Sequence, residues 1–441
     1  MKKYFLAGWL FFNSLSIFAQ QENANFPFSI RLAPMEINGF EGLQSFVIGK
    51  TDPYYILIGG RTDGLHLKQP WATFNKKDQN KSIYAIDPIQ KTVYKRSIAE
   101  LSNSIQEQLQ STNMEFVQVQ DQLICIGGYG YSASSDDHIT FPYLLSIDTK
   151  GLAQALSQQQ PIASFFQQIK DERMAVTGGQ LGKIGEKYYL VGGQRFDGRY
   201  NPHGPDHGPG FTQQYTNEIR SFELNFQNPI LEISNYKSQY DSLNLHRRDY
   251  NLVPQIFNAN SLGYTAFSGV FQYDKDLPFT NFVDIFKDTY KVSENFEQKL
   301  NHYHSAVIPI FSKKSNTMFT IFLGGIAQYY VGKNNKIIED ENVPFTKTIS
   351  VITRQNNNTE ETFLPLQMPG YLGASAVFIP TKNVQLLFDE IIDSDAIQQK
   401  EILAGYIIGG INSSDKNIFW ENTGKQSSAN AVIYQVWMKE K

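Results

Sequence analysis

An all-β fold of six four-stranded antiparallel sheets is predicted by three observations. An aromatic and aliphatic run ending in a double glycine recurs along the chain, its spacing marks out units of roughly 56 to 85 residues, and short alternating strands flank each copy. The runs end at Gly59-Gly60, Gly127-Gly128, Gly192-Gly193, Gly324-Gly325 and Gly409-Gly410. Their second glycines stand 68, 65, 132 and 85 residues apart. The gap of 132 equals two units of 66, and its middle holds a degenerate copy, Tyr264-Thr265-Ala266-Phe267-Ser268-Gly269. Repetition on this scale implies stacked or radially arranged supersecondary units, none of which buries its core alone.

Each unit supplies its elements in a fixed order. An inner strand comes first, as in Gln44 to Ile48, Met114 to Val119 or His304 to Pro309, and the double-glycine strand follows it. After a loop of variable length comes a third strand, as in Ser82 to Asp87, Tyr143 to Asp148, Glu218 to Glu223, Asn281 to Ile285 and Thr348 to Ile352. A more polar fourth strand closes several units: Thr92 to Lys95, Ile230 to Ile233, Thr289 to Val292 and Thr362 to Leu366. Period-two alternation bounded by turn residues reads as antiparallel strand. The Gln-rich stretches Ser104 to Gln110 and Ala153 to Gln160 read as short helices in connecting loops. Gly178-Gly179 is placed in an inner strand, where missing side chains relieve crowding. The last unit has strands near Ala374 to Pro380, Gly405 to Gly410 and Ala431 to Met438, and is one strand short. At the other end Phe28 to Met35 belongs to no unit, so it is expected to complete the last sheet, with Phe28 to Leu32 beside Ala431 to Val436.

Residues 1–19 are set apart from the fold. Lys2-Lys3, an apolar centre from Leu6 to Phe12 and the small Ala19 before Gln20-Gln21 form a secretory signal peptide. The expected product is exported, periplasmic or secreted, after cleavage near Ala19, with residues 20–441 as one domain. A net charge of -4 with 19% charged residues gives no electrostatic case for nucleic acid. No membrane span is expected, and the protein is expected to be a monomer. Cys125, the single cysteine, reads as a small buried hydrophobe. Aromatic residues make up 14% of the chain, a supply that suits strands and also stacking on sugar rings.

The succession of aromatic-aliphatic strand, double glycine, a Tyr-x-Ile-Asp strand and a polar strand resembles the kelch repeat over essentially the whole mature chain. The resemblance implies a kelch-type β-propeller of six blades, with seven as the alternative count, closed by the N-terminal strand. The family's fourth-strand tryptophan is absent from every unit, with Tyr94 and Phe363 as substitutes, and the units run longer than kelch blades.

In such a blade the first strand begins on the face where the second ends. Inner-strand starts and post-glycine loops therefore gather at one mouth. That placement singles out Arg61, Glu115, Arg173, Arg195, Arg248, Asp249, His302 and His304 as ligand-binding candidates. Arginine forks hold carboxylates and tyrosine faces stack on pyranoses, so a carbohydrate or other anionic small molecule fits. Bracing of neighbouring blades by arginine–carboxylate pairs is the competing reading. His302-Tyr303-His304 puts two histidines on one strand face, but no third ligand follows by spacing, so neither a metal nor a cofactor is expected. Among exported kelch propellers are sialic acid mutarotases, which look similar in using arginine and acidic residues at this mouth. That likeness implies a sugar isomerase as the alternative, with Glu115, Arg173, Arg248 and His304 as its acid-base and carboxylate-holding groups. A protein-interaction scaffold is the further alternative. The Gly/Pro-rich loop containing His203 and His207 reads as an exposed insertion over the mouth.

Overall fold

The structure, a computed structural model, describes residues 26–226, 231–258, 261–356, 358–388, 390–398 and 401–441. The signal-peptide segment lies outside the described residues, as does Ile230. Six antiparallel four-stranded blades form a β-propeller, and the sheet of the fifth is extended beyond its inner strand by two short strands, Ile391–Asp393, which runs parallel to it, and Leu386–Leu387. Blade 1 is Val47–Thr51, Tyr54–Ile58, Ser82–Asp87 and Thr92–Ser97, and blade 2 is Glu115–Val119, Gln122–Ile126, Tyr143–Asp148 and Phe166–Lys170. Blade 3 is Gln180–Ile184, Lys187–Val191, Glu218–Asn225 and Glu232–Tyr240. Blade 4 is Asn251–Asn258, Ser261–Phe267, Phe282–Phe286 and Thr289–Val292. Blade 5 is Ala306–Ser312, Thr317–Ile326, Phe345–Gln355 and Asn358–Gln367. Blade 6 pairs Ala376–Pro380, Ile402–Gly409 and Ile433–Glu440 with the N-terminal Phe28–Met35. In that last pairing Phe28 faces Glu440 and Leu32 faces Val436, so Phe28 to Leu32 lies further toward the C-terminus than the sequence suggested. Short helices fall at Asn103–Leu109 and Thr149–Ser157.

The double glycine joins neighbouring blades. Its second N–H donates to a carbonyl just before the next inner strand: Gly60 to Ser111 at 2.8 Å, Gly128 to Val176 at 2.9 Å and Gly193 to Arg247 at 2.7 Å. Gly269 to His302 at 3.2 Å, Gly325 to Leu372 at 2.9 Å and Gly410 to Leu43 at 2.8 Å complete the circle. The first residue of the pair must let that carbonyl in. Gly127 has φ +62°, and a Cβ there would collide with the Val176 oxygen. Blade 4 has Ser268 instead, at φ +54°, with its hydroxyl donating to Phe279 O at 2.6 Å. Apolar clusters fill the wedges between blades, as where Ile56, Ile58 and Ile83 meet Leu123, Cys125 and Leu145.

The length of the units comes from hairpins added after the double glycines. Tyr129–Ser132 pairs with Asp137–Thr140, Gln194–Gly198 with Phe211–Tyr215, Tyr329–Val331 with Ile337–Glu339, and Ile411–Ser413 with Ser427–Ala429. All four stand on the mouth side. Gly178-Gly179 proves to precede its inner strand, which starts at Gln180, rather than lie within it.

Replacing Gly127 by alanine should lower unfolding free energy by about 3 kcal/mol, combining left-handed strain with a steric block on the Gly128–Val176 bond. Ser268→Gly should be close to neutral, since relief of φ strain offsets one lost hydrogen bond. Urea denaturation of both variants checks the pair, and a Gly127→Ala protein as stable as the parent would contradict this account. Deleting residues 20–36 should bare the edge at Ile433–Glu440, lowering the melting temperature and promoting association seen by size-exclusion chromatography.

Candidate functional site

Each blade presents two consecutive residues to the axis, immediately before its inner strand. The pairs are Gln44-Ser45, Thr112-Asn113, Thr177-Gly178, Arg248-Asp249, Tyr303-His304 and Ala374-Ser375, and all twelve line one cavity of about 590 Å³. The first member pairs through its backbone with the residue after its own double glycine, as Gln44 does with Arg61, Thr112 with Tyr129 and Arg248 with Val270. The second member passes a backbone bond to its neighbour: Asn113 N to Ser45 O, Gly178 N to Asn113 O and Asp249 N to Gly178 O. His304 N to Asp249 O and Ser375 N to His304 O continue the belt. Positive φ at Ser45, Asn113, Gly178, Asp249 and Ser375 turns the chain at these points. The belt is the floor of the cavity.

The walls come from the inserted loops and are aromatic. His66 stacks on Phe74 at 5.7 Å between centroids and meets Tyr200 at 4.8 Å and Phe419 at 5.3 Å edge-on. Burial lowers the His66 pKa to about 4, so this ring is neutral. Tyr129 continues the wall against Phe74 and Phe196, and its hydroxyl donates to Gly198 O and accepts from Tyr200 N. Trp420 lines the mouth and is 52% exposed.

Four sequence candidates line this cavity. Arg248 donates through Nε to the Tyr215 hydroxyl at 3.0 Å and through Nη1 to Asp249 at 2.7 Å. Burial opposes its charge, but Tyr215, Asp249 and Tyr200 outweigh that and raise its pKa. Its Nη2 has no partner among the described residues. His304 also has no partner at either ring nitrogen, and desolvation lowers its pKa to about 4 despite the Asp249 charge. Arg61 is committed: its fork is closed on Asp63 at 2.8 and 2.6 Å, and it lies 5.3 Å from the Phe74 centroid.

The other four candidates lie elsewhere. Arg173 forks onto Asp171 and lies over Tyr236, at 4.3 Å from the centroid, on the outer strand of blade 3. Arg195 faces outward to Asp197 and Glu172, because its neighbour Gln194 takes the cavity side. His302 is sealed in the interior, with Nε2 against Gln298 O and Nδ1 accepting from Gln328 N, so it does not share a face with His304. Glu115 is buried under the floor, where Oε1 accepts the Gly179 N–H at 2.8 Å and Oε2 has no partner. It belongs to the junction of blades 2 and 3 rather than to the mouth. Among the described residues no group of three or more metal-ligating side chains is assembled. The loop carrying His203 and His207 packs against the blade 1 insertion, with Arg199 donating to Thr73 O. Tyr129 was legible as a post-glycine residue at the mouth, but Phe74, Phe196, Tyr200, Phe419 and Trp420 were missed from sequence; aromatic residues set among Gly, Pro and Asn in long post-glycine loops were the available signal.

A six-bladed β-propeller with an axial, aromatic-walled cavity is the class that this geometry defines. No family model matches the chain, and no curated protein sequence matches it. A solved structure titled "Structure of YjhT" superposes with a TM-score of 0.50, covering 92% of this chain and 99% of that one, at 10% sequence identity. The likeness is one of fold.

Burial raises the Glu115 pKa to about 8, so this carboxyl is held neutral where an unfolded chain would ionise it near 4.5. Its contribution to stability is complete below about pH 4.5 and is lost as pH climbs to about 8. Glu361 behaves alike, also raised to about 8 by burial. Melting temperature should therefore fall across that window, and Glu115→Gln should remove part of the slope while Glu361 keeps the rest. A thermal-denaturation series in buffers spanning about pH 4.5 to 8 checks this, and an unchanged slope in the variant would count against it.

Proposed function

We propose that this protein is an exported, kelch-type propeller that binds a carbohydrate in its axial cavity. One observation carries the reading. The cavity floor and lower walls hold hydrogen-bonding groups with no intramolecular partner among the described residues, facing aromatic rings. The Asn113 amide, the Tyr200, Tyr303 and Ser375 hydroxyls, both His304 nitrogens and Arg248 Nη2 are of this kind. Polar groups left open in an aromatic enclosure suit a ligand with hydroxyls around its edge and C–H bonds on its faces. The volume falls in the range of small-molecule sites. Export is supported by the charged and apolar pattern of residues 1–19, and the kelch assignment by the double glycines. Pairing of Phe28–Met35 with the last strand of blade 6 supports an N-terminal closure of the ring.

A second reading, an isomerase acting on the bound sugar, draws on His304 alone. A neutral imidazole with both nitrogens open, beside the Arg248–Asp249 pair, is a proton acceptor at neutral pH. Glu115 and Arg173, implied by the mutarotase likeness, do not reach the cavity and take no part in it. His304→Gln separates the two readings: loss of turnover with binding kept favours the isomerase.

A thermal-shift screen against neutral, amino and acidic sugars tests the main reading, since ligand at a hundred times Kd adds about 2.7 kcal/mol of stability. Tyr303→Phe should leave the melting temperature unchanged and weaken sugar binding roughly fivefold, the cost of one hydrogen bond. A panel in which no sugar shifts the transition would refute the reading.

A further inference from the structure

The charge balance of the cavity says more about its ligand than the aromatic walls do. Three cations line it, and each is already paired. Arg61 is matched by Asp63 at 2.6 Å, with Asp78 at 3.9 Å, and Arg248 by Asp249 at 2.7 Å. Lys416 has the Tyr330 hydroxyl at 2.9 Å and Asp340 at 3.9 Å. Three further lining carboxylates, Asp276, Glu341 and Glu421, have no cationic partner among the described residues. The cavity and its immediate ion pairs thus set seven carboxylates against three cations, with His66 and His304 neutral. A second carboxylate entering here would meet no open arginine fork: Arg248 has only Nη2 to spare, and it sits beside Asp249. An ammonium group would meet the reverse situation, with unpaired carboxylates and aromatic faces such as Trp420 at the same mouth. Cations are attracted to both.

The two halves of the site select different parts of a ligand. The floor offers the Asn113 amide and the Ser375 and Tyr303 hydroxyls, groups matched to hydroxyls rather than to charge. The mouth offers charge of one sign. We propose that the ligand is an amino sugar, bound with its hydroxyls toward the floor and its ammonium at the carboxylate-bearing mouth. This rests on the carbohydrate reading above and narrows it to a basic class, away from acidic sugars.

D-glucosamine, D-glucose and D-glucuronate share one ring shape and differ in charge. Their affinities for the mature chain, measured by calorimetric titration at low and high salt, should fall in that order. The outer two should differ by about tenfold or more at low salt and converge as salt screens the mouth. The triple variant Asp276→Asn/Glu341→Gln/Glu421→Gln changes only exposed side chains. It should bring glucosamine down to the affinity of glucose and leave glucose unchanged. Glucuronate binding tightest, glucose matching glucosamine, or a triple variant with unaltered preference would overturn the proposal while the cavity remains a sugar site. Failure of all three sugars to bind would sink the carbohydrate reading and this inference with it. Choline is the remaining arm: binding as tight as that of glucosamine would mean that the site takes an ammonium group and not a sugar, which also overturns the proposal.

Discussion

The N–H that each repeat donates from its second glycine to the next blade is the interaction on which the other features depend. Six sheets with apolar faces can slide and splay against one another, since hydrophobic contact has no preferred register. A backbone hydrogen bond has one. By taking hold of Ser111, Val176, Arg247, His302, Leu372 and Leu43, the six glycine N–H groups fix where every inner strand begins. The residues that form the cavity floor follow each of those carbonyls within three positions. The circle that holds the blades together is therefore also the frame that places the groups lining the cavity floor. Because the frame is made of backbone, floor side chains can differ without altering it, and Ser45, Asn113, Gly178, Asp249, His304 and Ser375 share one backbone role with six different surroundings.

Blade 4 shows what is needed when the motif is incomplete. Ser268 must hold a left-handed conformation, and its bond from Gly269 to His302 is the longest of the six at 3.2 Å. Arg247 supports this corner. Fully buried, it donates to the carbonyls of Asn244, Ser268 and Asn281 and to the Asn281 side chain, and it lies 4.1 Å from the Phe279 centroid. Burial pulls its pKa down to about 9, and the Coulombic help from Tyr250 and Asp241 is smaller. The next residue, Arg248, faces the cavity. Two adjacent arginines thus divide between holding the fold and facing the cavity, because successive side chains of an extended chain point to opposite sides.

That alternation also explains how much of the molecule was legible in its sequence. Double glycines, strand order and the six-unit count depend on local patterns repeated many times, so they could be read directly. The site depended on phase. Gln194 and Arg195 differ by one position, as do Tyr303 and His302, and a one-residue error exchanges inside for outside. Arg248, Asp249 and His304 were found because the residues just before an inner strand do face the axis. Glu115 was misplaced because it stands two positions beyond Asn113, already within the strand and beneath the floor. No local period marks Phe74, Tyr200 and Phe419, which come together from insertions in three different blades.

Floor and walls are consequently built from different materials, and they should respond differently to a ligand. The floor is held by a continuous run of backbone bonds from Ser45 to Ser375, so its donors and acceptors stand in place before anything binds, and little ordering entropy remains to be lost there. The walls are held by ring contacts between loops whose outer residues, such as Trp71 at 68% and Trp420 at 52%, remain exposed. Such loops open at lower free energy than sheet does. A ligand entering between them would first meet the mouth, where charge acts over several ångströms, and only then the floor, where hydrogen bonds act at contact. For the proposed ligand, selection by charge at the rim and by hydroxyl geometry at the base would follow from that order of encounter, set by a circle of glycine N–H groups that the ligand itself need not touch.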